Sequence, residues 1–332
     1  MAETNSRGAF WGFEVRRRQL ADAWPVTAYA IPLEARIWSS GGYRSSSTGR
    51  ITVSSDTATA VARGTMPTVI NGQQYGAASG TSDYGWYTGG DGPGSNARFD
   101  VYRITYAADT VEASLRGPMI QNRKMHTSTT DGTYGWQQSG GTNNGSPNTS
   151  STERITFVSD TATGVARGPM IASYIGAQAT GNSTNGWVSG GYFFPAQKIV
   201  QRVTYATDTA VAVNRASVTI TNDHRYGGAT GNADQGWFSG QDPAGSAIIR
   251  ITYATDTATP VARGPLAAVS YRQGVSGNST DGWWIAGKAF NGSPAHRSTV
   301  QRVNFATDTA TASIRGPLHV STGANQATSG TA

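Results

Sequence analysis

Hydrophobic and polar residues alternate with period two through most of this chain. In Arg250-Ile251-Thr252-Tyr253, the apolar Ile251 and Tyr253 fall on one face and Arg250 and Thr252 on the other. The same alternation returns at Ile104 and Tyr106, Ile155 and Phe157, Val203 and Tyr205, and Val303 and Phe305. It predicts short strands with one packed face. A polar turn follows each, Ala254-Thr255-Asp256-Thr257 in the clearest copy. Its Asp reads as a hairpin device that accepts backbone N–H groups two residues on. The next strand ends at Arg263-Gly264-Pro265, where the missing N–H of Pro stops ladder pairing. A third strand, such as Tyr226 to Gly231, leads to a turn like Asn278-Ser279-Thr280-Asp281-Gly282, which favours a hairpin with positive φ. The fourth begins with Gly-Trp and ends at Gly-Gly, as in Gly85-Trp86-Tyr87-Thr88-Gly89-Gly90.

This unit occurs six times. Its opening Arg recurs at Arg50, Arg103, Arg154, Arg202, Arg250 and Arg302, and its Asp-Thr pair begins at Asp56, Asp109, Asp160, Asp208, Asp256 and Asp308. A period of about 50 residues with strand chemistry throughout is the mark of a propeller blade. The fold class is therefore all-β, a six-bladed β-propeller over residues 35–332, preceded by an extended N-terminal arm over residues 1–34. The repeat is out of phase with the chain ends. Ile37 to Gly42 lacks a preceding partner strand, and the last copy stops near Gly330 without a Gly-Trp strand. Pairing of Ala324–Ser329 beside Ile37–Gly42 would complete one blade and leave no open edge. The Ile251 and Tyr253 positions should fill the layer between blades.

Composition agrees with this and narrows the chemistry. Only five leucines occur, while Thr, Val, Tyr, Trp and Gly are plentiful, a strand-and-turn mixture. There is no cysteine, so neither disulfide nor thiolate chemistry is available. The N-terminus leads into no apolar signal-peptide core, and no run of about 18 apolar residues could span a membrane. Folding in the cytoplasm where the chain is made is the expectation. The net charge is +6. Twelve arginines belong to the repeat, as Arg250 and Arg263 do. They read first as framework, bonded to carbonyls or to the turn Asp of the same or a neighbouring blade. A second reading is an arginine-lined ring that binds an anion. Without a long basic block, a nucleic-acid partner is not expected.

Gly-Gly, a variable loop, an aromatic-bearing strand, a polar turn, a strand and a Pro-containing turn together resemble a kelch repeat. The wording Arg-Ile-Thr-Tyr-Ala-Thr-Asp-Thr-Ala-Thr, Arg-Gly-Pro-Leu and Gly-Asn-Ser-Thr-Asp-Gly-Trp resembles kelch-like structural proteins of tailed marine bacteriophages. It departs from the usual kelch pattern by carrying Asp-Thr at the turn and by lacking the Trp that follows it. The resemblance implies a non-enzymatic virion protein, assembled in the host cytoplasm, that decorates a capsid or tail and binds other virion proteins.

The arm departs from the repeat. It holds Phe10, Trp11 and Phe13, then Arg16, Arg17 and Arg18, then Trp24. Aromatics and Arg are the residues that anchor interfaces. An arm that packs back on the propeller fits this composition as well as a tether into a partner. The tether reading makes those seven the partner-binding residues. A different function, binding of a host-surface glycan or receptor, would place Tyr192, Phe193, Phe194 and Phe290 in loops as stacking platforms. A cytoplasmic kelch adaptor is a third reading. We expect no catalytic residue, metal or cofactor. His126, His224, His296 and His319 lie at unrelated phases of the repeat and read as surface loop residues.

Overall fold

The computed structural model describes residues 35–42, 45–67, 74–92, 96–142, 148–192, 198–218, 225–239, 245–289, 296–323 and 326–331. The chain divides into two units, Met1–Glu34 and Ala35–Ala332, and the first lies outside those residues. The second is a six-bladed β-propeller. Each repeat supplies the two outer strands of one four-stranded antiparallel sheet and the two inner strands of the next. In blade 2 the strands run outward from Ala77–Gly80 through Tyr84–Thr88 and Val101–Thr105 to Ser114–Leu115. The innermost strands of blades 3 to 6 are Thr127–Thr130, Gln178–Gly181, Ala229–Gly231 and Gly274–Gly277. Blade 1 takes strands from both ends of the chain. Gln326–Thr331 lies antiparallel to Ala35–Ser40, from Ala35 opposite Thr331 to Ser40 opposite Gln326. The six inner strands pack against one another in a closed circle around the axis.

The period-two faces meet between blades. Tyr106, Phe157, Tyr205, Tyr253 and Phe305 each stack on the Trp of the preceding blade, with ring centroids 3.8–4.0 Å apart and planes within 7–10°. Each indole is buried. An indole removes roughly 200 Å² from water, worth about 5 kcal/mol against an extended chain. The Gly of Gly-Trp makes room for the ring. A Cβ on Gly85, Gly135, Gly236 or Gly282 would sit 3.1–3.2 Å from a ring carbon of the aromatic residue of its own blade. Blade 1 solves the same problem differently. Ile37 stands where the other blades have that Gly, Val53 stands where they have the ring, and both pack with Trp283. Bulk has moved from one strand to its neighbour.

The repeated polar residues meet at the same junctions. Trp38, Arg50 and Arg63 of blade 1 converge on Asp109 of blade 2. The pattern continues round to Trp283, Arg302 and Arg315 of blade 6 on Asp56 of blade 1. The indole N–H donates to Asp Oδ2 over 2.8–2.9 Å, and Nη1 of the first Arg donates over 3.0–3.2 Å. The Asp is thus a hub between blades, and its six copies are explained by that contact rather than by the hairpin role the sequence suggested. Each hub joins two guanidiniums to one carboxylate, an excess of one positive charge. Six hubs together match the whole net charge of +6.

The Gly of Arg-Gly-Pro closes the contact. The N–H groups of Gly64, Gly117, Gly168, Gly264 and Gly316 donate to the hub Asp carbonyl over 2.7–2.8 Å. A Cβ on any of them would lie 1.9–2.2 Å from a carbonyl oxygen of the next blade. Blade 4 has Ala216 at this position. Its outer strand Val213–Ser217 slips register between Val200 and Gln201, and Arg215 reaches Asp256 Oδ1 over 2.7 Å instead.

Candidate functional site

The residue just before each inner strand sits at the mouth of the axial channel. In five described blades this region contributes Tyr75, Met125, Gly176, Tyr226 and Arg272, all with φ between 52° and 68°. Backbone bonds join them blade to blade. Met125 N donates to Tyr75 O (2.6 Å), Gly176 N to Met125 O (2.8 Å), Tyr226 N to Gly176 O (2.8 Å) and Arg272 N to Tyr226 O (2.5 Å). Left-handed backbone at non-glycine residues costs on the order of 1 kcal/mol each. The collar of bonds offsets that cost and aims large side chains at the opening.

Those side chains form an Arg–Tyr cluster. The Arg272 guanidinium lies over Tyr75 at 4.6 Å, Tyr226 at 5.0 Å and Tyr271 at 5.3 Å, and it donates to the Tyr75 hydroxyl. Arg225 lies 4.2 Å over Tyr192 and 5.5 Å over Tyr226. All six residues are half-buried. Beside them Lys124 Nζ is 2.9 Å from Asp91 Oδ1, in a buried ion pair. Burial raises the Asp91 pKa, while Lys124 and Arg272 act to lower it. Burial likewise raises the Tyr75 pKa, and the Arg272 charge opposes it.

Beneath the mouth, the inner strands enclose a chamber of about 140 Å³. His126, Gln178 and Gln273 line it, each at least nine-tenths buried. Both side-chain amide atoms of Gln178 and of Gln273 lack a protein partner, as does His126 Nδ1. The other imidazole nitrogen lies 3.0 Å from Thr88 Oγ1. That hydroxyl has one proton, shared between the acceptors Ala77 O and Gln137 Oε1. It therefore accepts from His126 Nε2–H, which leaves Nδ1 as an acceptor without a protein partner. Burial, with a smaller push from Arg123, lowers the His126 pKa to about 3. His126 is therefore a neutral axial residue and not the surface loop histidine expected from the sequence.

The solved structure of YjhT shares this architecture. It aligns with a TM-score of 0.66 at 10% sequence identity, over 86% of this chain and 98% of YjhT. The likeness is one of fold. No protein-family model and no curated protein matches the chain.

The arm residues Phe10, Trp11, Phe13, Arg16, Arg17, Arg18 and Trp24 lie outside the described residues, as do Phe193, Phe194 and Phe290. Tyr192 is described, and one face of its ring carries the Arg225 guanidinium. Tyr75 and Arg272 escaped the sequence reading because the repeat does not keep them, and Tyr226, read there as the start of a strand, lies ahead of Ala229–Gly231. Their signal was positional: they precede the inner strand in phase, where five blades hold Tyr, Met, Gly, Tyr and Arg in turn. Among the described residues, no helix is long and apolar enough to cross a membrane.

Proposed function

We propose that this chain is a non-enzymatic protein-binding propeller of a tailed-phage particle, decorating the capsid or tail and holding other virion proteins. One observation carries the binding part: Arg225 and Arg272 are stacked among four tyrosines at the channel mouth. Tyr and Arg supply large, stiff contact area with polar ends, the composition of interface anchors. The collar fixes them before any partner arrives, so little side-chain freedom is left to lose on binding. The particle assignment is supported by the resemblance of the repeat wording to phage structural proteins. The arm from Phe10 to Trp24 is the second attachment, since its aromatics and arginines are outside the repeat and free of its constraints.

Mass spectrometry of purified particles from the source culture tests the reading. The chain should appear as a stoichiometric component, with cross-links from the arm or the channel mouth to another virion protein. Deleting residues 1–30 should lower incorporation and leave the propeller folded. Absence of the chain from purified particles would refute the particle assignment.

A further inference from the structure

The axial chamber has a chemistry that the Arg–Tyr mouth does not share. No charged side chain lines it. Its polar side chains are the carboxamides of Gln178, Gln273 and Gln326, the hydroxyls of Thr127 and Ser128, and a neutral imidazole. Buried polar groups are rarely left unpaired, because each costs about 1–3 kcal/mol without a partner. Four amide atoms and one imidazole nitrogen are unpaired here. The placement follows a pattern too. His126 and Gln273 each follow a collar residue and lie three blades apart, which puts them opposite one another in a six-bladed ring. In blades 2 and 5 the same phase is Gly76 and Gly227. The chamber therefore takes polar side chains from two opposed pairs of blades, His126 facing Gln273 and Gln178 facing Gln326, with glycine on the remaining pair.

We infer that the axial chamber is a binding site for a small neutral polyol, gripped between Gln273 and His126 with Gln178 alongside. A hydroxyl both donates and accepts, as a carboxamide does, so a polyol can pair Gln178 and Gln273 through both amide atoms. A further hydroxyl donates to His126 Nδ1. An oxyanion would find acceptors it cannot satisfy and no cation in the chamber. An apolar guest would leave every one of these groups unpaired. This site adjoins the partner surface, sharing His126 and Gln273 with the mouth, and its assignment does not depend on the particle reading.

The test is isothermal titration calorimetry of the full chain with glycerol, D-glucose and D-glucuronate. Saturable binding of glycerol or glucose is expected, with glucuronate weaker than glucose. Gln178→Leu and Gln273→Leu should each weaken binding by at least about tenfold, since a site built to bond hydroxyls discriminates steeply once one partner is lost. Gln178→Asn keeps the chemistry, shortens the reach and should also weaken binding, so the result stands if a leucine variant fails to fold. Heat that does not saturate with either neutral probe would overturn the assignment. So would binding indifferent to all three substitutions. Glucuronate binding more tightly than glucose would move the ligand up to Arg272 and overturn it as well.

Discussion

Two regions of this propeller use the same six-fold scaffold in opposite ways. At the blade junctions, Trp, two Arg and Asp recur six times and meet in the same way, blade 4 differing only in the carboxylate oxygen that Arg215 reaches. Around the axis, the residue at or just before the start of each inner strand is Ala77, Thr127, Gln178, Gly228, Gly274 or Gln326. The junction positions are fixed by mutual contact. A hub Asp must satisfy an indole and two guanidiniums, and a change in one partner strands the others. The axial positions face a chamber and share no repeated contact of that kind, so each blade is free to differ. Repetition marks the residues that hold the blades together. Its absence marks the places where the protein can carry something specific.

If that contrast is right, breaking a hub should cost far more than changing the mouth. Asp160→Asn leaves Arg103, Arg116 and the Trp86 N–H against a neutral amide. Removing one side of a buried ion pair costs about 3–5 kcal/mol. These arginine side chains keep about a fifth of their surface in water, so we expect about 3 kcal/mol, read as a lower urea midpoint at unchanged slope. Arg272→Ala, at the mouth, removes its stacking on Tyr75, Tyr226 and Tyr271 and should cost about 1 kcal/mol. Equal losses for the two variants would erase the distinction between the regions.

The Arg–Asp half of the hub was among the contacts the repeat arginines suggested, but the Trp–Asp half was out of reach of a reading confined to one repeat. Every element was visible: six Trp, twelve Arg, six Asp. The bond from Trp38 to Asp109 spans 71 residues and that from Trp86 to Asp160 spans 74. These separations run from the second strand of one blade to the turn of the next. Within a repeat of about 50 residues, the Asp looked like part of its own turn. The blade count and strand faces were legible because periodicity encodes them directly. The channel mouth was not, because Tyr75 and Arg272 occupy one structural position with unlike side chains. Their left-handed backbone carries no signal in residue type. His126 misled for a similar reason: nothing in its neighbours says that the residue after a collar position turns into the axis.

Blade 4 supplies a natural experiment for a smaller effect. Ala216 replaces the Gly of the Arg-Gly-Pro turn there, and the strand accommodates it by slipping register. In blade 3 the register is regular from Thr152 to Arg154, and a Cβ on Gly168 would lie 1.9 Å from Ala210 O. Gly168→Ala should therefore cost about 2 kcal/mol, the range for overpacking a well-filled site. Calorimetric melting of this variant beside wild type measures it. A neutral result would mean that the bulge of blade 4 is available to any blade, and that the hub geometry is looser than its distances suggest.

The smallest effect is on the axis and depends on pH. His126 stays neutral in the folded chain down to about pH 3, because burial and then the Arg123 charge disfavour the imidazolium. An unfolded chain protonates the same side chain near pH 6.5. Between those values the unfolded state holds one more proton than the native state, so stability from this group falls as the solution is acidified. The slope approaches about 1.4 kcal/mol per pH unit below pH 6.5, and above it the contribution is flat. Burial also lowers the pKa of His296 and His319, which adds loss of the same sign. The difference between wild type and His126→Gln isolates the axial share. Gln keeps a donor for Thr88 and cannot take the proton. Urea midpoints at pH 7.0 and 5.0 should converge for the variant relative to wild type, by about 1–2 kcal/mol in stability. Parallel pH profiles would mean that water reaches His126 well enough to let it charge in the folded chain. The chamber would then be a solvated channel, and its carboxamides would be paired by bulk water rather than held for a ligand.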